Sequence, residues 1–189
     1  MSGTHAADGS YSRLEGNGFS ANPYQCVIYS VHSSDWSAPR LVQAGLVRCN
    51  SAVIDNTCTD GHTFVERNNG SSYFCVPGYS FTNNTLYDAT TYRTSATGTN
   101  FYGHINGAEI NQSGFGLTDD IQAFAWGEAT GDSSTCPPRT ASKGHFTLWK
   151  RYDSASGWAY VTTSQPFTNS NMGQCWQPTN VTSGEFYVD

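Results

Sequence analysis

Two short stretches each set one polar side chain among apolar neighbours. In Leu41-Val42-Gln43-Ala44-Gly45 the amide of Gln43 is surrounded by Leu41, Val42, Ala44, Leu46 and Val47. Buried there without hydrogen-bond partners it would cost about 1–3 kcal/mol, so it is expected to have a use. In residues 121–130, alternation puts Ile121, Ala123, Ala125, Gly127 and Ala129 on one face, and Gln122, Phe124, Trp126 and Glu128 on the other. The small face reads as tight core and the large, polar face as the lining of a groove. An amide donates and accepts hydrogen bonds without titrating, whereas a carboxyl group can move a proton. Gln43 and Glu128 are therefore the candidate reactive pair, with Trp126 and Phe124 on the face of Glu128. Glu66, in His62-Thr63-Phe64-Val65-Glu66-Arg67, is a third candidate because its strand is expected beside residues 40–48. The plainer reading of Glu66 is a solvent-facing residue next to Arg67.

Short strands must position these residues. The candidates are 24–32, 40–48, 62–67, 72–76, 86–93, 100–105, 108–112, 121–129, 145–152, 158–163 and 185–188, each alternating or β-branched and aromatic, and bounded by Gly, Pro, Asn or Asp. No window has helical periodicity. Asn106-Gly107 predicts a two-residue hairpin, because both central positions of a type I′ turn need positive φ. The pattern implies an all-β fold, a two-sheet antiparallel β-sandwich of jelly-roll or concanavalin-like form. Residues 1–20, rich in Gly and Ser, are expected to be a loose arm, and residues 21–189 a single β-sandwich domain.

The chain has 189 residues, 13% of them charged, and a net charge of −6 with only Lys143 and Lys150 as lysines. That balance gives no electrostatic footprint for nucleic acid. No stretch reaches the roughly 18 apolar residues of a membrane span. Cys26, Cys49, Cys58, Cys75, Cys136 and Cys175 form an even set without zinc-site spacing, which predicts disulfides, an oxidising compartment and a secreted protein. Cys49 and Cys58 are expected to close a short loop, with the other pairings open. The segment MSGTHAADGS has no apolar h-region, so export is expected either after removal of a signal or by another route.

Several chemistries find no support. There is no G-x-S-x-G elbow, and His5, His32, His62, His104 and His145 lack ligand spacing, so neither a hydrolase serine nor a metal site is expected. No cofactor is expected. A glycosidase pair drawn from Glu66, Glu109 and Glu128 lacks a tight acidic cluster, and Asp119-Asp120 reads as a solvated turn.

The same stretches resemble the glutamic peptidase group, the eqolisins and the neprosin family. Gln43-Ala44-Gly45 resembles the Gln-x-Gly segment of eqolisins and the Glu-Ala-Gly segment of neprosins. Trp126-Gly127-Glu128 is similar to the Gly-Gly-Glu or Trp-Gly-Gly-Glu of neprosins, and the run from Tyr73 to Tyr79 to their Cys-x-Gly-Phe region. The spacing from Gln43 to Glu128 also suits the eqolisin arrangement. The likeness spans about residues 35–160. Gln43 stands where neprosins have glutamate, and their second cysteine near Cys75 is missing, which favours the glutamine and glutamate version.

The resemblance implies a polypeptide substrate and an acid-acting endopeptidase. Glu128 would serve as base towards water and then as acid towards the leaving amine. Gln43 would hold the oxyanion, and Trp126 would raise the carboxyl pKa and support substrate. Two other functions fit the sequence. One is a secreted module binding glycan or polymer through Tyr73, Trp126, Trp149, Trp158 and Trp176; the other is an extracellular structural subunit.

Overall fold

A computed structural model describes residues 8–17, 26–35, 40–49, 58, 60–93, 100–113, 121–130, 143–153, 155–161 and 178–188. They contain thirteen strands and no helix: β1 Gly9–Asn17, β2 Cys26–Asp35, β3 Arg40–Cys49, β4 His62–Asn69, β5 Tyr73–Ser80, β6 Leu86–Arg93, β7 Phe101–Ile105, β8 Ala108–Ser113, β9 Ile121–Thr130, β10 Lys143–Asp153, β11 Gly157–Tyr160, β12 Pro178–Thr182 and β13 Glu185–Val188. Every pairing is antiparallel. One sheet runs β5-β4-β3-β2-β9; the other runs β12-β13-β10-β1-β6-β7-β8, with β11 on β10. The expected two-sheet β-sandwich is the architecture.

Alternation builds the core. Tyr29, Val31, Val42, Ala44, Leu46, Val65 and Ala125 of the five-stranded sheet meet Leu14, Ala89, Phe101, Ile105, Phe146 and Phe186 of the other, all essentially inaccessible. Phe146 and Phe186 stack at 4.6 Å, and Tyr29 meets Phe146 edge-on at 6.3 Å. Asn106 and Gly107 have φ of 52° and 75°, which is the hairpin expected between β7 and β8.

Three expectations change. The arm expected over residues 1–20 contains β1, an interior strand held between β6 and β10. Its small Gly and Ser residues suit a crowded position rather than a loose one: Ser10 and Ser12 are fully buried. Asp8, just before it, pairs with Arg93 at 2.6 Å in a buried contact. Strand β12 also adds to the expected set. Finally, Cys49 does not bond Cys58. Cys26 bonds Cys49 and Cys58 bonds Cys75, because Cys26 and Cys49 face each other directly across β2 and β3. Cys136, Cys175 and the Asp119-Asp120 turn lie outside the described residues.

Candidate active site

In an antiparallel sheet, residues in register share a face. Across the five-stranded sheet one such row reads Phe124, His32, Gln43, Glu66 and Cys75. The next two rows contain Trp126, Ser30, Gly45 and Phe64, then Glu128, Ile28, Val47 and His62. By register the five candidate positions fall in these rows, and Gln43 and Glu66 face away from the sandwich core. The alternation read from residues 121–130 agrees, since Ala125 is in the core.

The face has two halves. Cys26, Ile28, Val47, Cys49, Cys58 and Phe64 form a buried apolar cluster at one end. Ser30, His32, Gln43, Glu66 and Asn68 form a buried polar band beside it. Gln43 and Glu66 are 4% and 6% exposed, which differs from the solvent-open groove and the solvent-facing Glu66 expected. Glu66 is sheltered because its strand lies between β3 and β5, beneath the Cys58–Cys75 disulfide, whose Cys58 sulfur is 3.7 Å from its Oε2. A disulfide sulfur has no hydrogen to donate, so it acts as a polarisable wall. A set of metal ligands is not formed by Cys58, Glu66 and Cys75, because both sulfurs are spent in the disulfide.

Gln43 is oriented by a neighbour that sequence reasoning passed over. The Ser30 hydroxyl donates to Gln43 Oε1 at 2.9 Å. With its oxygen engaged, the amide offers its two Nε2 hydrogens to the face. The glycine of Gln43-Ala44-Gly45 makes this contact possible. A Cβ on Gly45 would lie 2.1 Å from the Tyr29 carbonyl oxygen and 2.7 Å from Ser30 Cβ, so only a glycine lets β2 and β3 approach there. The missed signal was the period-two run Ser30, His32, Ser34, three small or polar residues aimed at one side. His32 is buried beside Gln43, and desolvation lowers its imidazole pKa from 6.5 to about 3, so it is neutral.

Register also sets distances. Gln43 and Glu66 are direct cross-strand neighbours, with Cα atoms about 5 Å apart. Glu128 is two strands and four residues away; at ~4.8 Å per strand and ~3.4 Å per residue, its Cα stands about 17 Å from that of Gln43. The side chains of Phe124, Trp126 and Glu128 lie outside the described residues. The structure thus brings Gln43 and Glu66 together, and sets the Glu128 position further along the sheet, in register with Ile28.

No family model matches the sequence, and no curated protein is similar to it. Solved structures are similar along its full length. Scytalido-glutamic peptidase with a transition state analog inhibitor matches with TM-score 0.59 and 11% identity, over 100% of this chain and 94% of that one. The same peptidase with a peptide-based transition state analog gives 0.53 and 10%, with the same coverage. SCP-B, a member of the Eqolisin family, in a complex with the tripeptide Ala-Ile-His gives 0.53 and 11%, again with the same coverage. The fold is that of these glutamic peptidases.

Proposed function

We propose that the protein is a secreted endopeptidase that cleaves peptide bonds with a glutamine and a glutamate on the outer face of its five-stranded sheet. The observation that supports this best is the cross-strand pairing of Gln43 with Glu66 in a sandwich of glutamic peptidase form. Hydrolysis needs a proton acceptor for water, a donor for the oxyanion and a proton for the leaving amine. The Nε2 hydrogens of Gln43, fixed by Ser30, supply the oxyanion donor. A carboxylate one strand away takes the proton of a water held between the two groups, and returns it to the amine. Glu66 fits this position better than Glu128, whose starting point about 17 Å off suits contact with substrate away from the scissile bond. One carboxyl acting first as base and then as acid fits work in acid solution, and the disulfides fit an oxidising exterior.

The deep burial of Gln43 and Glu66 favours a second reading, a sandwich that binds without turnover. Digestion of denatured casein from acid to neutral pH separates the two. Cleavage is expected to resist chelators and serine or cysteine reagents. It should fall at least a hundredfold in Gln43→Ala and Glu66→Gln, by the loss of an oxyanion donor or base, and less in Glu128→Gln. Cleavage that survives Gln43→Ala and Glu66→Gln but is abolished in Glu128→Gln would move the base to Glu128. No cleavage at any pH by folded protein would sink the proposal.

A further inference from the structure

The outer face of the eight-stranded sheet, on the other side of the molecule from Gln43, contains a cleft of about 690 Å³. That size lies within the roughly 300–1,000 Å³ of small-molecule sites. Two neighbouring rows make it. In one, Trp158, Tyr152, Gly9 and Tyr92 are in register; in the other, Tyr160, Lys150, Tyr11, Thr90 and His104. A solvent-facing sheet surface is ordinarily polar, so this concentration of rings is not what the fold requires.

The rings form a connected wall. Tyr152 meets Trp158 at 5.0 Å, Trp158 meets Tyr11 at 6.0 Å, and Tyr92 meets Tyr152 at 6.4 Å across the side-chain-free floor left by Gly9. None of these contacts is a parallel stack, and all four rings line the cleft. Trp158 is 42% exposed. Between the rings, Thr90 presents a hydroxyl able to exchange hydrogen bonds, while the His104 ring lies against Tyr92 at 5.3 Å with its Nε2 buried. The one ammonium, Lys150, is 4.8 Å from the Tyr160 ring centre and 5.7 Å from that of Tyr11.

The chain bends its own rules to build this wall. Phe146 faces the core, so strict alternation would turn residues 148, 150 and 152 inward. A bulge against Ser12 breaks the alternation, with Leu148 at φ 55°. Trp149 then fills the core, while Lys150 and Tyr152 turn out to the cleft. A left-handed leucine costs energy, which marks the position as one where outward placement matters.

The geometry points to a glycan-binding site, one that takes a neutral pyranose ring. A sugar ring has an apolar C–H face for the aromatic wall and a rim of hydroxyls for Thr90 and the tyrosine hydroxyls. The chain's net charge of −6 and the single ammonium disfavour phosphate-rich or polyanionic ligands. This site is independent of the peptidase proposal, and neither stands or falls with the other.

Neutral cello-, xylo-, manno- and chito-hexasaccharides, with an oligogalacturonate as the acidic comparison, would be titrated into the full chain by calorimetry. Saturable binding of at least one neutral glycan is expected. Trp158→Ala and Tyr152→Ala should each weaken it by roughly tenfold or more, Trp158→Phe should restore most of it, and none should alter casein cleavage. Because Trp158 is exposed, its variants are expected to stay folded, which far-ultraviolet circular dichroism checks. Absence of saturable binding at millimolar glycan overturns the inference. So does binding confined to the acidic glycan, or binding that persists in the Trp158→Ala, Tyr152→Ala double variant.

Discussion

The hydroxyl of Ser30 and the amide oxygen of Gln43 are 2.9 Å apart, both buried and on adjacent strands. This bond decides which end of the amide faces the outer side of the sheet. Removing it in Ser30→Ala leaves a buried carbonyl oxygen without its donor, at a cost of about 1–3 kcal/mol. Urea unfolding should register that loss, and casein cleavage should fall with it. Gly45→Ala should do similar damage by another route, pushing Ser30 away through a steric contact. A Gly45→Ala protein with native stability and activity would contradict the packing argument.

Stability should fall in acid because of His32. Its folded-state pKa, lowered by burial to about 3, lies below the ordinary 6.5. Above pH 6.5 both the native and the unfolded imidazole are neutral, and the full stability is present. Between 6.5 and 3 the unfolded chain binds a proton that the native state refuses, so stability drops by about 1.4 kcal/mol per pH unit. Below 3 both states are protonated and the loss from this group stops. Urea midpoints measured across this range should show the slope, and His32→Gln should flatten it; an equal slope in the variant would assign it elsewhere.

Each described disulfide should contribute about 3 kcal/mol by restricting the unfolded chain, given separations of 23 residues for Cys26–Cys49 and 17 for Cys58–Cys75. Their effects on cleavage should differ. Cys58→Ser with Cys75→Ser unseats the wall beside Glu66 and should lower activity even where the protein remains folded. Cys26→Ser with Cys49→Ser should chiefly lower the melting temperature. Thermal scans beside casein assays separate the two.

Asp8 and Arg93 form an ion pair in which both side chains are about nine-tenths buried. Asp8→Ala leaves the guanidinium without this partner and should destabilise by about 3–5 kcal/mol. Deletion of residues 1–17 should abolish folding, since β1 is interior to its sheet. A folded, monomeric truncation would disprove that role for β1.

Where alternation was strong, the sequence was legible. Ala125 turned inward, and the Asn106-Gly107 turn, follow from the period of a strand and the needs of one turn type. β1 was hidden because Gly9, Ser10 and Ser12 resemble a loop in composition, and only the crowding of an interior strand selects them. Glu66 looked peripheral beside Arg67, because its partner Gln43 is distant in sequence and only register makes them neighbours. The disulfide pattern failed for the same reason: proximity along the chain suggested Cys49 with Cys58, but ladder pairing placed Cys26 opposite Cys49. The outward turn of Lys150 and Tyr152 depends on a single extra residue at Leu148, which no periodicity announces.

The place of β1 has a cost in time. Its two neighbours are β6 and β10, so a segment synthesised ahead of both has nothing to zip against until residues 86–93 and then 143–153 have left the ribosome. Until then its unsatisfied ladder is open to other chains, and the late, long-distance closure should make this a slow folder, on the millisecond-to-second scale of sandwich topologies.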